Sequence, residues 1–154
     1  MVNKGSFYGT SSPVLIDVTF ISNTASGTGG AMGNSSDSGG TSSPVLTNVI
    51  FDGNSATGGD GGAIYSYHSS PTLMNVTFNG NTTVSNGGAI YHGYGDLVLT
   101  GVTFNKNTAG SSGGAMQSAS SSLTLTNAIF VGNSAGLWEQ IARGTNAKVV
   151  KRPF

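Results

Sequence analysis

Apolar residues recur along this chain in one order and at one spacing. Phe20, Phe51, Phe78, Phe104 and Phe130 follow each other at intervals of 31, 27, 26 and 26 residues. Five positions before each stands a leucine, at Leu15, Leu46, Leu73, Leu99 and Leu125, and two before it Val18, Val49, Val76, Val102 or Ala128. Three positions after each comes an asparagine: Asn23, Asn54, Asn81, Asn107 and Asn133. The apolar runs are only three to six residues long and alternate with Thr and Ser, the pattern of half-buried strands. An amphipathic helix would need apolar residues every three or four positions over about ten without an intervening glycine. Short strands at a fixed period predict a chain that winds one coil per repeat, each coil pairing in parallel with those before and after it. The expected fold is all-β: a right-handed parallel β-helix of about 26 residues per coil, five to six coils and three strands per coil. One strand lies at the Gly-Gly-Ala-Ile-Tyr segment, one at the leucine, and one runs from the valine through the Phe to the Asn.

The polar positions repeat as well. Gly29-Gly30-Ala31-Met32, Gly61-Gly62-Ala63-Ile64, Gly87-Gly88-Ala89-Ile90 and Gly113-Gly114-Ala115-Met116 alternate with the Phe-x-x-Asn motifs. Gly30, Gly62, Gly88, Gly114 and the asparagines suit tight corners, where the backbone turns inward or takes a positive φ. The asparagines of Phe-x-x-Asn stack, so their amides are expected to bond up the coil as a ladder. A second corner column holds Asp17, Asn48, Asn75, Gly101 and Asn127. Lys4-Gly5-Ser6-Phe7-Tyr8 reads as a decayed first copy, which puts Tyr8 in one column with Tyr65 and Tyr91, and Asn34–Gly40 reads as a loop insertion. Residues 1–136 are thus the repeats. Residues 137–154 form a degenerate terminal coil, with Ile141 in the Ile/Met column, Val149 and Val150 in the next strand, and four of the six basic residues beyond position 142.

Composition narrows the function. One domain fits 154 residues. Only 8% of residues are charged, against about 25% in ordinary soluble proteins, so the polar surface is hydroxyl and amide. Six basic and six acidic residues cancel, leaving no field to attract nucleic acid or an anionic membrane. Cysteine is absent, which removes disulfides and thiolate metal sites. No apolar run approaches the roughly 20 residues that span a bilayer as a helix. Met1–Gly5 lacks the apolar stretch of a signal peptide, so export by another route, or membership of a longer exported chain, is expected.

The alternation of Gly-Gly-Ala-(Ile/Met) with Phe-x-x-Asn, from about Gly5 to Ala135, resembles the repeat unit of the polymorphic outer-membrane proteins. It is similar, too, to bacterial secreted right-handed β-helix proteins. The resemblance implies a passenger displayed outside the bacterial cell with an adhesive role, extracellular or attached to the outer membrane.

Candidate chemistry is sparse. Right-handed β-helix lyases and hydrolases need clustered acids and bases on one face, but Asp17, Asp37, Asp52, Asp60, Asp96 and Glu139 occupy different repeat positions. Asp52 and Asp60, around Gly58-Gly59-Asp60-Gly61-Gly62, are the nearest to a calcium turn, and the Gly-x-Asp spacing such turns need fails. His68 and His92 read as isolated surface histidines. Asn34, Asn75 and Asn81 match the glycosylation acceptor pattern, the last two being explained by their corner columns. No catalytic, metal or cofactor residue is assigned. Tyr65 and Tyr91, with Tyr67 and Tyr94 nearby, form a candidate contact stripe. The expected role is a non-enzymatic scaffold or adhesin whose partner is a protein or glycan of a host or neighbouring cell. The alternatives are a carbohydrate-active β-helix enzyme and a subunit that associates end to end, since neither terminus shows an obvious cap.

Overall fold

The computed structural model describes residues 1–120 and 122–137 in full, and residues 141–143 and 147–149 as backbone strands. Every pairing is parallel, and strands gather into four sheets, two of six strands and two of five. The chain is a parallel β-helix.

The first sheet holds Val2–Gly5, Met32–Ser36, Ile64–Tyr67, Ile90–Gly93, Met116–Ala119 and Ile141–Arg143. The second is centred on the leucines, with Val14–Ile16, Val45–Thr47, Thr72–Met74, Asp96–Thr100, Ser122–Thr126 and Ala147–Val149. The third holds the Phe column, in Thr19–Ile21, Ile50–Asp52, Thr77–Asn79, Thr103–Asn105 and Ile129–Val131. Two-residue strands such as Ser55–Ala56 and Thr82–Thr83 make the fourth. That fourth sheet adds a short strand to the three expected per coil, and the strand expected from the valine through the Phe to the Asn is shorter at both ends. The valine sits at the corner before the third sheet, and the Asn of Phe-x-x-Asn turns its amide inward, so the ladder breaks there and resumes one residue later.

Like pairs with like across the coils. Leu46, Leu73 and Leu99 align, as do Phe51, Phe78 and Phe104, and Met32, Ile64, Ile90 and Met116. The five Phe rings stack at centroid separations of 4.8 to 5.0 Å with planes within 3 to 7°. Phe51, Phe78 and Phe104 are fully buried, while Phe20 and Phe130 at the two ends of the stack are partly buried.

Asn54, Asn81, Asn107 and Asn133 are buried beside this stack, and Asn23 at one end is exposed. Asn54, Asn81 and Asn107 each direct backbone N–H and side-chain amide to Oδ1 of the next Asn, at 2.9 to 3.0 Å. The same side-chain amides reach back to the Phe carbonyls of the preceding coil, Asn81 to Phe51 at 3.0 Å. Asp17, Asn48, Asn75, Gly101 and Asn127 all take a positive φ between 52 and 65°, so this column is a left-handed corner. Asn and Gly tolerate that region best. Gly30, Gly62 and Gly88 sit where a Cβ would run into the carbonyl of the corresponding glycine one coil on.

Two details depart from the sequence reading. Val2 pairs with Gly33 and Gly5 with Ser36, so the first coil is offset by 31 residues throughout. Tyr8 therefore lies in a turn, with Phe7 and Tyr8 at φ 50 and 62°, and its ring rests against Gly39 rather than in the column of Tyr65. The longer turn is shared by both coils, since Thr10 bridges Thr41. The decisive signal is the identical Gly-Thr-Ser-Ser-Pro-Val-Leu at 9–15 and 40–46. The insertion is also shorter than expected, because Asn34–Ser36 continue a strand, leaving the turn to Asp37–Gly40.

At the other end Met116 pairs with Ile141 and Leu125 with Val149. Val150 and the Lys151–Phe154 segment lie outside the described residues.

Candidate functional site

The regular columns are consumed by core and corners, so irregular outward positions are where a site must be sought. On the first sheet residues alternate inward and outward: Ile64 and Ser66 are buried, while Tyr65 and Tyr67 point out. One coil on, Ile90 and His92 are buried and Tyr91 is outward. The corner that follows is occupied by His68 and Tyr94, both exposed and both at positive φ, 50 and 56°.

These five rings form one assembly. Tyr65 stacks on Tyr91 at 5.4 Å with planes 7° apart, and lies nearly parallel to Tyr67 at 6.1 Å. His68 stacks on Tyr94 at 4.7 Å. Tyr67 meets both edge-on, at 4.6 Å from His68 and 5.3 Å from Tyr94. Ring pairs at these separations attract beyond their area burial. Partial burial raises the Tyr65 and Tyr91 phenols above their ordinary value of 10.0, and Asp60 and the other phenols add to the rise. Both are neutral donors at physiological pH.

Asp60 stands in the loop leading into the Tyr65 strand. Its Oδ1 accepts from Ser85 Oγ at 2.6 Å and from the backbone and side-chain amides of Asn86, both at 2.9 Å. The other acids are elsewhere. Asp17 is bonded by Asn48 at a corner, Asp52 by Asn79 on the outer side of the third sheet, and Asp37 pairs with Lys4 at 2.9 Å. The Lys4 ammonium holds the Asp37 carboxyl below its usual 3.8. Asp52 and Asp60 bond to different partners, and among the described residues no three His, Asp or Glu side chains stand together to hold a metal ion. Glu139 lies outside the described residues.

His92 is not the surface residue expected from the sequence. It is fully buried, in an inward column with Asn3, Asn34, Ser66 and Ser118. Its Nδ1 lies 3.1 Å from Ser66 Oγ and its Nε2 3.3 Å from the Gly95 carbonyl. Burial lowers its pKa below 6.5. Position separates the two histidines: His92 stands two residues after Ile90 and so shares its face, whereas His68, four after Ile64, falls beyond the strand at the corner. Asn34 and Asn81 are buried too, and Asn75 alone of the three acceptor asparagines is exposed.

Known proteins resemble this chain at the level of the repeat. A family model, the Chlamydia polymorphic membrane protein repeat, matches at residues 17–31, 48–67 and 75–93. In these three segments the chain is similar to polymorphic membrane protein repeats. The matched segments begin at or next to the left-handed corner, and two of the three run through the Gly-Gly-Ala strand, taking in Tyr65 and Tyr91. No curated protein and no solved structure matches the chain significantly. Polymorphic membrane protein repeats belong to surface-exposed bacterial outer-membrane proteins, a surface family rather than an enzyme family. Among the described residues no helix is long and apolar enough to cross a membrane.

Of the residues singled out in the sequence, the Phe, Asn and second Gly columns stand inside the coil or at its corners. Tyr65 and Tyr91 come together outside it. The roles of Tyr67, His68 and Tyr94 in that cluster follow from the strand and corner geometry, although the spacing of 26 between His68 and Tyr94 already marks them as one column.

Proposed function

We propose that this chain is a non-enzymatic segment of a bacterial outer-membrane surface protein, a rigid scaffold that presents an adhesive face on its first sheet. The observation that carries this reading is the separation of labour between columns. Phe, Leu, Val, Asn and Gly repeat because each coil must stack on the next. The outward residues of the first sheet vary from coil to coil and gather five rings in two of them. A carbohydrate-cleaving site would need an acid and a base brought together across one sheet, and among the described residues Asp17, Asp37, Asp52 and Asp60 are dispersed over corners, turns and separate sheets.

The test has two arms. Antibody raised against the purified chain should label intact cells of the producing bacterium as strongly as permeabilised ones. The purified chain should release no reducing ends or unsaturated products from polygalacturonate, xylan or dextran. Labelling only after permeabilisation, or a polymer cut by the wild-type chain, would contradict the reading.

A further inference from the structure

We propose that the face formed by Tyr65, Tyr67, His68, Tyr91 and Tyr94 is a binding site for a neutral glycan. It rests on the reading of the chain as a display surface and names what that surface takes. Other outward positions of the same sheet carry no aromatic ring: Val2 and Lys4 in the first strand, Gly33 and Ser35 in the next, and Gln117 and Ala119 beyond the rings, so the rings are a local addition to the coil rather than part of its pattern.

Folding does not ask for the rings at the corner. Ser120 fills the same corner one coil on, with φ 50°, and needs no aromatic side chain to do so. Histidine is among the residues that enter the left-handed region more readily, whereas a tyrosine is rare there, yet Tyr94 is held there, stacked on His68 with Tyr67 edge-on to both. Strain kept at an exposed cluster points to function.

The shape leaves room beside the rings. Gly33 precedes Tyr65 in its column, and a methyl group there would meet nothing within 4 Å. Gly93 continues the column of Tyr67, and a Cβ there would lie 3.0 Å from the Tyr67 ring, so that ring leans over the glycine. The polar groups around the rings are Asp60, Ser85 and Asn86 on the approach loop, Gln117 beyond Tyr91, and the phenols themselves. Sugar C–H faces pack against tyrosine rings while their hydroxyls bond to amides, carboxylates and phenols.

Charge selects among glycans. Lys4 stands outward in the column of Tyr67, two strands away, but is paired with Asp37 at 2.9 Å, and Lys106 follows the third sheet, so among the described residues the cation on this sheet is already neutralised by a carboxylate. Sulfated, sialylated and uronate chains would meet Asp60 without a counter-charge. Tyrosines also anchor protein partners, but, Val2 apart, the exposed aliphatic side chains that would widen such an interface lie off this sheet, such as Ile21, Ile50 and Ile129 on the third, and the groups around the rings are amide, hydroxyl and carboxylate.

The experiment titrates the whole purified chain with cellohexaose, maltohexaose, mannohexaose and chitohexaose, and with heparin and polygalacturonate, by calorimetry and tyrosine fluorescence. At least one neutral hexasaccharide should bind. The pairs Tyr65→Ser with Tyr91→Ser, and His68→Ser with Tyr94→Ser, should each weaken that binding about tenfold or more with circular dichroism unchanged. If the first pair impairs folding, Tyr94→Ser alone at the exposed corner gives the reading. The site is refuted if no neutral hexasaccharide binds, if binding survives the variants, if heparin binds more tightly, or if only a cell-surface protein is retained. A bound hexasaccharide that is then cleaved would keep the site and overturn the non-enzymatic reading. Absence of binding leaves the scaffold reading intact.

Discussion

Asn81 gives both its backbone N–H and its side-chain amide to a single oxygen, Oδ1 of Asn107, each at 2.9 Å. The same side-chain amide reaches the Phe51 carbonyl, and Oδ1 of Asn81 receives the matching pair from Asn54. One buried side chain thus satisfies two backbone groups of the preceding coil and bonds the asparagine side chain of the next. Asn81→Ala strands the Asn54 N–H and the Phe51 carbonyl, at roughly 1–3 kcal/mol for each buried group left unpaired. The expected loss is about 2–6 kcal/mol by urea denaturation, summing those groups. Asn81→Asp should fare little better, because a carboxylate accepts from Asn54 but cannot donate to Phe51 and is buried without a cation. A loss below about 1 kcal/mol for both would mean that the ladder is replaceable by water.

The Phe stack makes a prediction with a gradient. Phe78 is fully buried between Phe51 and Phe104, and Phe78→Ala should cost about 3–5 kcal/mol. Phe20 is partly buried and stacks on Phe51 alone among the described rings. Phe20→Ala should cost distinctly less, because the site is already open to water and can collapse. Equal urea midpoints for the two variants would contradict the uneven burial of the stack.

Much of this was legible in the sequence because a β-helix writes its geometry as translation. Phe51, Phe78 and Phe104 recur where the coil returns, so coil length, core columns and the Asn corner can be read from spacing. What could not be read was where a strand stops. His92 and His68 follow their isoleucines by two and four residues, and only the length of the first-sheet strand decides that one faces the core and the other solvent. Spacing alone does not place Tyr8, because the Gly-Gly-Ala motif is missing from the first coil and that coil is 31 residues long where the later ones are 26. The identical heptapeptides ending at Leu15 and Leu46 carry the correct offset. The fourth sheet was hidden because a two-residue strand has no alternation to show.

Two glycines on the first-sheet side of the coil separate space from conformation. Gly88 packs so closely on the next coil that a methyl group would strike the Gly114 carbonyl and the Thr108 backbone. Backbone cannot give way as a side chain can, so Gly88→Ala should destabilise by about 3 kcal/mol or more. Gly33 has open space at its Cβ and no positive φ. Gly33→Ala should be neutral or stabilise by about 0.4–1 kcal/mol through the unfolded chain. Thermal melts of the two variants decide this, and a tolerated Gly88→Ala would mean that the coils can move apart locally.

His92 should make stability depend on pH. In the folded chain burial holds its ring neutral, below the ordinary 6.5, with the Gly95 carbonyl and the neighbouring Asp96 partly opposing that effect. The ring is enclosed by Ser66 and the Gly95 carbonyl, and no cation is among the causes that shift it. The unfolded chain takes up a proton near the ordinary value, so below it the unfolded state binds more protons than the folded one. Stability from this residue is therefore complete above 6.5 and is lost as pH falls beneath that value. The melting temperature should drop between about pH 7.5 and 5, above the range in which carboxylates titrate. His92→Ser, which places in this coil the residue found at Ser66 and Ser118, should flatten that slope while leaving the circular dichroism spectrum unchanged. A slope that persists in the variant would assign the pH dependence to another group and leave His92 as a packing residue alone.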